Sequence, residues 1–131
     1  MKTLLLTGCF DVLHIGHIRI INYANTVADK VFIAIDGDDK VKKDKGNSRP
    51  FNRQEDRREF LENIKGVNEV LIFDSEKELE IICKDLLPDY RLVGSDWKGK
   101  KVVGESYCRN VIYYDRIPGF STTNILENIR K

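Results

Sequence analysis

The sequence predicts an α/β protein built on an open parallel sheet with helices packed on both faces. Short apolar runs read as buried strands, and stretches with apolar residues at helical spacing lie between them. The first strand, helix and second strand fit within about 35 residues, the length of a βαβ unit, whose right-handed crossover lays both strands parallel.

Thr3 to Thr7 contains Leu4-Leu5-Leu6, is too short for a helix and is closed by Gly8, so a strand buried on both faces is expected. From His17 to Ala28 the residues Ile18, Ile21, Ala24 and Val27 recur at helical spacing, with Ile20 and Tyr23 widening the stripe. Val31-Phe32-Ile33-Ala34-Ile35 is the second buried strand, ended by Asp36-Gly37-Asp38-Asp39. Lys40 to Pro50 reads as a mobile basic loop, with Lys40, Lys42, Lys43, Lys45 and Arg49 crowded around Gly46, Asn47 and Ser48. Asn52 is the expected N-cap of the next helix, with Glu55 three residues on, and Phe60, Leu61 and Ile64 supply its buried face as far as Lys65. Glu69 to Phe73 is the third strand, Lys77 to Leu86 a helix stopped before Pro88, and Tyr90-Arg91-Leu92-Val93 a fourth strand leading to Gly94. Asn110 to Tyr114 is the fifth, and Ser121 caps a last helix from Thr122 to Ile129, with Ile125, Leu126 and Ile129 inward.

Ligands of such sheets lie outside the carboxyl ends of the strands. Four loops meet there: the turn after the first strand, the basic loop, Gly94 to Gly104, and Arg116 to Thr123.

At 131 residues, 41% hydrophobic and 33% charged, the chain fits one domain over residues 1–131. Twenty-two basic against 21 acidic residues give a net charge of +1, which excludes the global basic field of non-specific nucleic-acid binding. Any anion site has to be built locally. The Leu4-Leu5-Leu6 run is far too short for a signal peptide, and no stretch approaches the roughly 20 apolar residues of a membrane span, so a cytoplasmic protein without a membrane partner is expected. Cys9, Cys83 and Cys108 are odd in number, widely spaced and without a CxxC pair, the pattern of reduced thiols.

The chemistry concentrates in Gly8-Cys9-Phe10-Asp11-Val12-Leu13-His14-Ile15-Gly16-His17, where a strand ends and a helix begins. Backbone N–H groups and two imidazoles at a helix N-terminus make a positive site suited to a polyphosphate. His14 and His17 are the only histidines, and no nearby Cys or Glu completes a metal set, so no protein-held metal is expected. They serve either as helix-start residues bonded to backbone or as donors to phosphate oxygens, and Gly16 favours the second by letting phosphate approach the backbone.

This turn, paired with Arg116-Ile117-Pro118-Gly119-Phe120-Ser121-Thr122-Thr123, resembles the cytidylyltransferase-like branch of the HxGH nucleotidyltransferases over essentially the whole chain. The resemblance implies a Rossmann-like fold, a homodimer, and transfer of a nucleotidyl group from a nucleoside triphosphate to a small phosphorylated acceptor with release of pyrophosphate. It implies catalytic roles for His14, His17, Lys45 and Arg116. Ligand contacts are implied for Gly8, Cys9, Phe10, Asp11, Gly16, Lys42, Arg57, Gly94, Asp96, Trp97, Gly119, Ser121 and Thr122. Magnesium would arrive with the triphosphate, with Asp11 the nearest carboxylate or an orienting group of the turn.

Two subgroups compete. Gly94-Ser95-Asp96-Trp97-Lys98-Gly99-Lys100 and Arg116 resemble glycerol-3-phosphate cytidylyltransferases. Val41-Lys42-Lys43-Asp44-Lys45-Gly46, Arg49-Pro50-Phe51-Asn52 and Val102-Val103-Gly104 resemble the adenylyltransferase domain of ADP-heptose synthases, and Cys9 tilts the same way. Arg116 and Trp97 on the nucleotide edge favour CTP with an acceptor such as glycerol 3-phosphate. The alternatives are ATP with a sugar 1-phosphate, and a nucleotide-binding module without catalysis.

Overall fold

The computed structural model describes residues 1–115; Arg116, Gly119, Ser121, Thr122 and the last expected helix lie outside them. Five strands form one sheet: β1 (Thr3–Gly8), β2 (Lys30–Asp36), β3 (Val67–Phe73), β4 (Tyr90–Gly94) and β5 (Asn110–Tyr114). Their order is β3-β2-β1-β4-β5 and every pairing is parallel. The chain therefore winds outward from β1 to β3 and crosses back to place β4 on the other side of β1. That reversal opens a crevice at the carboxyl ends of β1 and β4.

Alternation along the strands divides the core. Leu4 and Leu6 of β1 pack with Ile21 and Ala24 of α1 (Ile15–Val27) and Leu61 of α3 (Gln54–Glu62). Leu5 points the other way, to Leu79 and Cys83 of α4 (Glu76–Leu86), with Ala34 and Phe73. Helices thus cover both faces, as the alternation of elements predicts.

Four local expectations are corrected. The stretch expected as a mobile basic loop contains a helix, α2 (Asp38–Lys45), with Asp38 and Asp39 in its first turn and Lys42, Lys43 and Lys45 in its last. Each charge sits at the end whose backbone dipole it complements. Only Val41 of this helix is buried, so no apolar period exists to reveal it. Asn52 does not cap α3; Arg53 stands at the N-cap without a side-chain bond, because the Asn52 backbone is engaged elsewhere. Phe60 is 57% exposed while Leu61 beside it is fully buried, so the α3 stripe is narrower than expected. Finally, α1 begins at Ile15, not at His17, because both histidines belong to its cap.

One backbone position carries a stability prediction. Gly104 has φ of 80°, and a Cβ there would lie 2.4 Å from Sγ and 2.7 Å from Cβ of buried Cys83. Gly99 has φ of 79° with nothing within 4 Å. Gly99→Ala should cost only the left-handed backbone penalty, about 1–2 kcal/mol. Gly104→Ala adds overpacking of about 1–3 kcal/mol, so urea denaturation should rank it clearly below Gly99→Ala.

Candidate active site

The crevice is built from the turn that follows β1. Gly8 ends the strand where any Cβ would sit 2.9 Å from the Phe10 ring. Phe10 and Val12 then hold φ of 53° and 47°, a region that side chains other than glycine rarely enter. Asp11 between them, fully buried, holds this conformation. Its Oδ2 accepts from the Phe51 N–H at 2.6 Å and its Oδ1 from the Asn52 N–H at 2.8 Å, while Arg49 Nε lies 3.5 Å from Oδ2. The carboxylate therefore ties the turn to the segment leading into α3.

His14, in extended conformation, is the N-cap of α1. Its Nδ1 accepts from the Gly16 N–H at 3.0 Å, and His17 Nδ1 accepts from the His14 N–H at 3.1 Å. This is a reciprocal capping box made with two imidazoles. A ring nitrogen that accepts from an N–H carries no proton, so each neutral ring bears its proton on Nε2 and is a donor there. The ring centroids are 4.0 Å apart and the rings are tilted by 42°. The first turn of α1 holds no acidic residue of its own. Capping and anion recognition are therefore compatible roles, divided between the two nitrogens of each ring.

Arg57 is 1% exposed and faces protein groups. Its Nε donates to Asn52 O at 3.0 Å, Nη1 to Cys9 O at 2.9 Å and Asp36 O at 2.7 Å, and Nη2 to Asp38 Oδ1 at 2.8 Å. It joins the carboxyl ends of β1 and β2 to the starts of α2 and α3. Burial pushes the Cys9 thiol up, against the pull of Lys45 and then Arg57, so the thiol is protonated at neutral pH and is no nucleophile.

The structure thus gathers Gly8, Cys9, Phe10, Asp11, His14, Gly16, His17 and Arg57 around one turn. Lys45, exposed on the last turn of α2, acts electrostatically on Cys9 and Asp36; Lys42 is exposed on the same turn. Gly94 ends β4, and Asp96 and Trp97 lie in a 3-10 turn, Ser95–Trp97, directly after it. Trp97 lines a cleft of about 140 Å³ with Thr7, Gly8, Asp36, Lys40 and Arg91, which adjoins the turn after β1. Among the described residues no group of three or more His, Cys, Asp or Glu side chains converges, and no helix is long and apolar enough to cross a membrane.

Three residues near these sites escaped the sequence reading. Arg49, 8% exposed, lies beside Asp11, and nothing in its basic surroundings distinguishes it. Lys40 pairs with Asp36 at 3.6 Å and Asp44 at 2.8 Å. Burial raises the Asp36 pKa, and Lys40 and Lys45 oppose the rise. Arg91 did leave a signal: a charged residue inside an apolar strand.

The cytidylyltransferase-like family profile matches residues 5–128. The bifunctional protein HldE of Campylobacter fetus subsp. fetus is 42% identical over 130 residues, which cover 98% of this chain and 28% of that protein. HldE of Helicobacter hepaticus is 38% identical over 130 residues, 99% of this chain and 27% of that protein. The chain therefore spans little more than a quarter of the length of these curated relatives. A crystal structure of the lipopolysaccharide core biosynthesis protein from Thermoplasma volcanium GSS1 superposes with a TM-score of 0.65 at 20% identity, over 88% of this chain and 99% of that one, and shares the fold. With its parallel sheet, its histidine cap and a family match across nearly its whole length, the chain belongs to the cytidylyltransferase-like family of nucleotidyltransferases.

Proposed function

We propose that the chain is an adenylyltransferase that moves AMP from ATP to a phosphorylated sugar of the heptose 1-phosphate type. The observation that carries ATP over the CTP preference of the sequence reading is the 42% identity to a bifunctional HldE over 98% of the chain. We read HldE as the ADP-heptose synthase whose adenylyltransferase domain the segments around Lys42, Arg49 and Val102 resemble.

In this reading an acceptor phosphate oxygen attacks the α-phosphorus of ATP. The new P–O bond forms as the bridging P–O bond to the β-phosphate breaks, and pyrophosphate carries the electron pair away. No covalent intermediate is needed, since the acceptor is already a nucleophile. The Nε2–H groups of His14 and His17 donate to the α-phosphate oxygens, where charge grows in the transition state. Lys45 and Lys42 approach from α2 to neutralise the triphosphate, and Arg116, Gly119, Ser121 and Thr122 would hold the pyrophosphate end. Both Asp11 oxygens already accept backbone N–H bonds. A magnesium ion would accordingly be held by the triphosphate's own oxygens and water, screening their charge.

Purified protein offered ATP or CTP with a panel of phosphorylated sugars and glycerol 3-phosphate should release pyrophosphate only with ATP and a sugar 1-phosphate. Turnover of CTP with glycerol 3-phosphate, and none with ATP, would reverse the base assignment. Nucleotide binding without pyrophosphate release under any pairing would leave a binding module.

A further inference from the structure

We infer that Arg49 is a positioning residue: by pairing with Asp11 it holds the lysine-bearing end of α2 against the histidine turn, so that Lys45 stands where a triphosphate binds. The catalytic consequence rests on the nucleotidyl-transfer reading; the anchoring of the segment does not.

Burial along this stretch defines a strap with two fixed ends. Val41 is 1% exposed, the seven residues from Lys42 to Ser48 are all exposed, and Arg49 is buried again. The bonds made between those ends are local. Asp44 pairs with Lys40 one turn back at 2.8 Å, Gly46 N–H donates to Lys42 O at 2.9 Å, and Arg49 N–H donates to Gly46 O at 3.2 Å. They fix the shape of the strap, while its place on the protein is set at Val41 and at Arg49.

A charged anchor suits the second end because the group facing it is the fully buried carboxylate of Asp11, with Oδ2 3.5 Å from Arg49 Nε. The Phe51 and Asn52 N–H groups give this carboxylate hydrogen bonds but no counter-charge, which Arg49 supplies. Arg49 Nε and Nη2 are buried without a hydrogen-bond acceptor, so what the residue brings to the pair is charge rather than a directed bond. Arg57 is the opposite case, with its donors spread over the carbonyls of Cys9, Asp36 and Asn52 and the Asp38 carboxylate.

The link leads directly to the site. Asp11 sits between the strained Phe10 and Val12 in the turn that runs into His14. Lys45 is the cation that acts most strongly on the Cys9 thiol, ahead of Arg57, whose Nη1 is 3.9 Å from Sγ, so its ammonium lies beside the same turn. One ion pair thus sets the histidines and the strap lysine in a common frame.

Arg49→Met, Arg49→Lys, Lys45→Met and the variant carrying both methionines are compared with the parent in two assays. One is the rate of tryptic cleavage after Lys42 and Lys43; the other is kcat and KM for the triphosphate that turns over. Methionine keeps the apolar stem of Arg49 without its charge, and lysine keeps the charge. Arg49→Met should be cut in the strap about fivefold faster or more, with sites elsewhere cut at the parent rate. Its kcat/KM should fall about tenfold or more, the scale of a displaced catalytic group. Arg49→Lys should stay within about threefold of the parent in both assays, because charge is what the pair requires. Since Arg49 acts through Lys45, the double variant should fall within about twofold of Lys45→Met alone. Parent-like cleavage of Arg49→Met, losses that add in the double variant, or a lysine variant as impaired as the methionine one would overturn the role. Circular dichroism checks folding; Arg49→Gln is held to the same expectations should Arg49→Met fail to fold, and failure of both would make Arg49 a residue of the fold alone. Cleavage needs no turnover, so faster cutting in a protein that never releases pyrophosphate would keep the anchor and sink the transfer reading alone.

Discussion

Replacing His17 with glutamine lowers turnover by about two to three orders of magnitude and leaves the fold intact, the loss seen when one preorganised donor to a developing oxyanion is removed. The choice of glutamine matters because His17 has two duties. Its Nδ1 accepts from the His14 N–H at 3.1 Å, and glutamine three residues after an N-cap is a natural acceptor for that bond. The variant therefore keeps the cap and loses the imidazole Nε2–H, replacing it with an amide N–H in a different position. Alanine removes both, so His17→Ala should show the same kinetic defect plus a stability loss of about 1 kcal/mol. Pyrophosphate release measured beside thermal unfolding separates the two effects. Turnover of His17→Gln within about threefold of the parent would make the histidines capping residues only.

The same division explains what could be read from the sequence. Two histidines around a glycine between an apolar strand and an amphipathic pattern locate the anion site, because strand end, turn and helix start are all local events. The reciprocal use of Nδ1 was not legible, since Ser, Thr, Asp and Asn are the side chains ordinarily expected at a cap. The parallel sheet with helices on both faces was legible for a similar reason: buried runs separated by helical patterns leave few topologies. Helix α2 was not, because its evidence is charge placement around one buried residue, Val41. The partners of Arg57 and Asp11 were not legible for a different reason. They lie 48 and 40 residues away at Cys9 and Phe51, and no spacing rule reaches across such separations.

Substituting Arg57 tests that last distinction. The resemblance places this arginine near substrate phosphate, whereas its guanidinium holds the carbonyls of Cys9, Asp36 and Asn52 and the carboxylate of Asp38. The Asp38 and Gln54 side chains also cap each other's backbone, Asp38 N–H to Gln54 Oε1 at 2.9 Å and Gln54 N–H to Asp38 Oδ1 at 2.8 Å. Arg57 thus locks two helix starts to two strand ends. Arg57→Met orphans three carbonyls and should destabilise the fold by about 3–5 kcal/mol, the cost of breaking a buried charged network. For a chain of this length that lowers Tm by roughly 10 °C or more without any ligand present. Lysine keeps the charge but concentrates its donors at one point, so Arg57→Lys should recover only a minority of the loss. A contact made chiefly with substrate behaves otherwise: Tm would hold within a few degrees and KM would rise, with lysine the milder change. Thermal unfolding of both variants without nucleotide therefore decides whether Arg57 builds the site or touches what binds there.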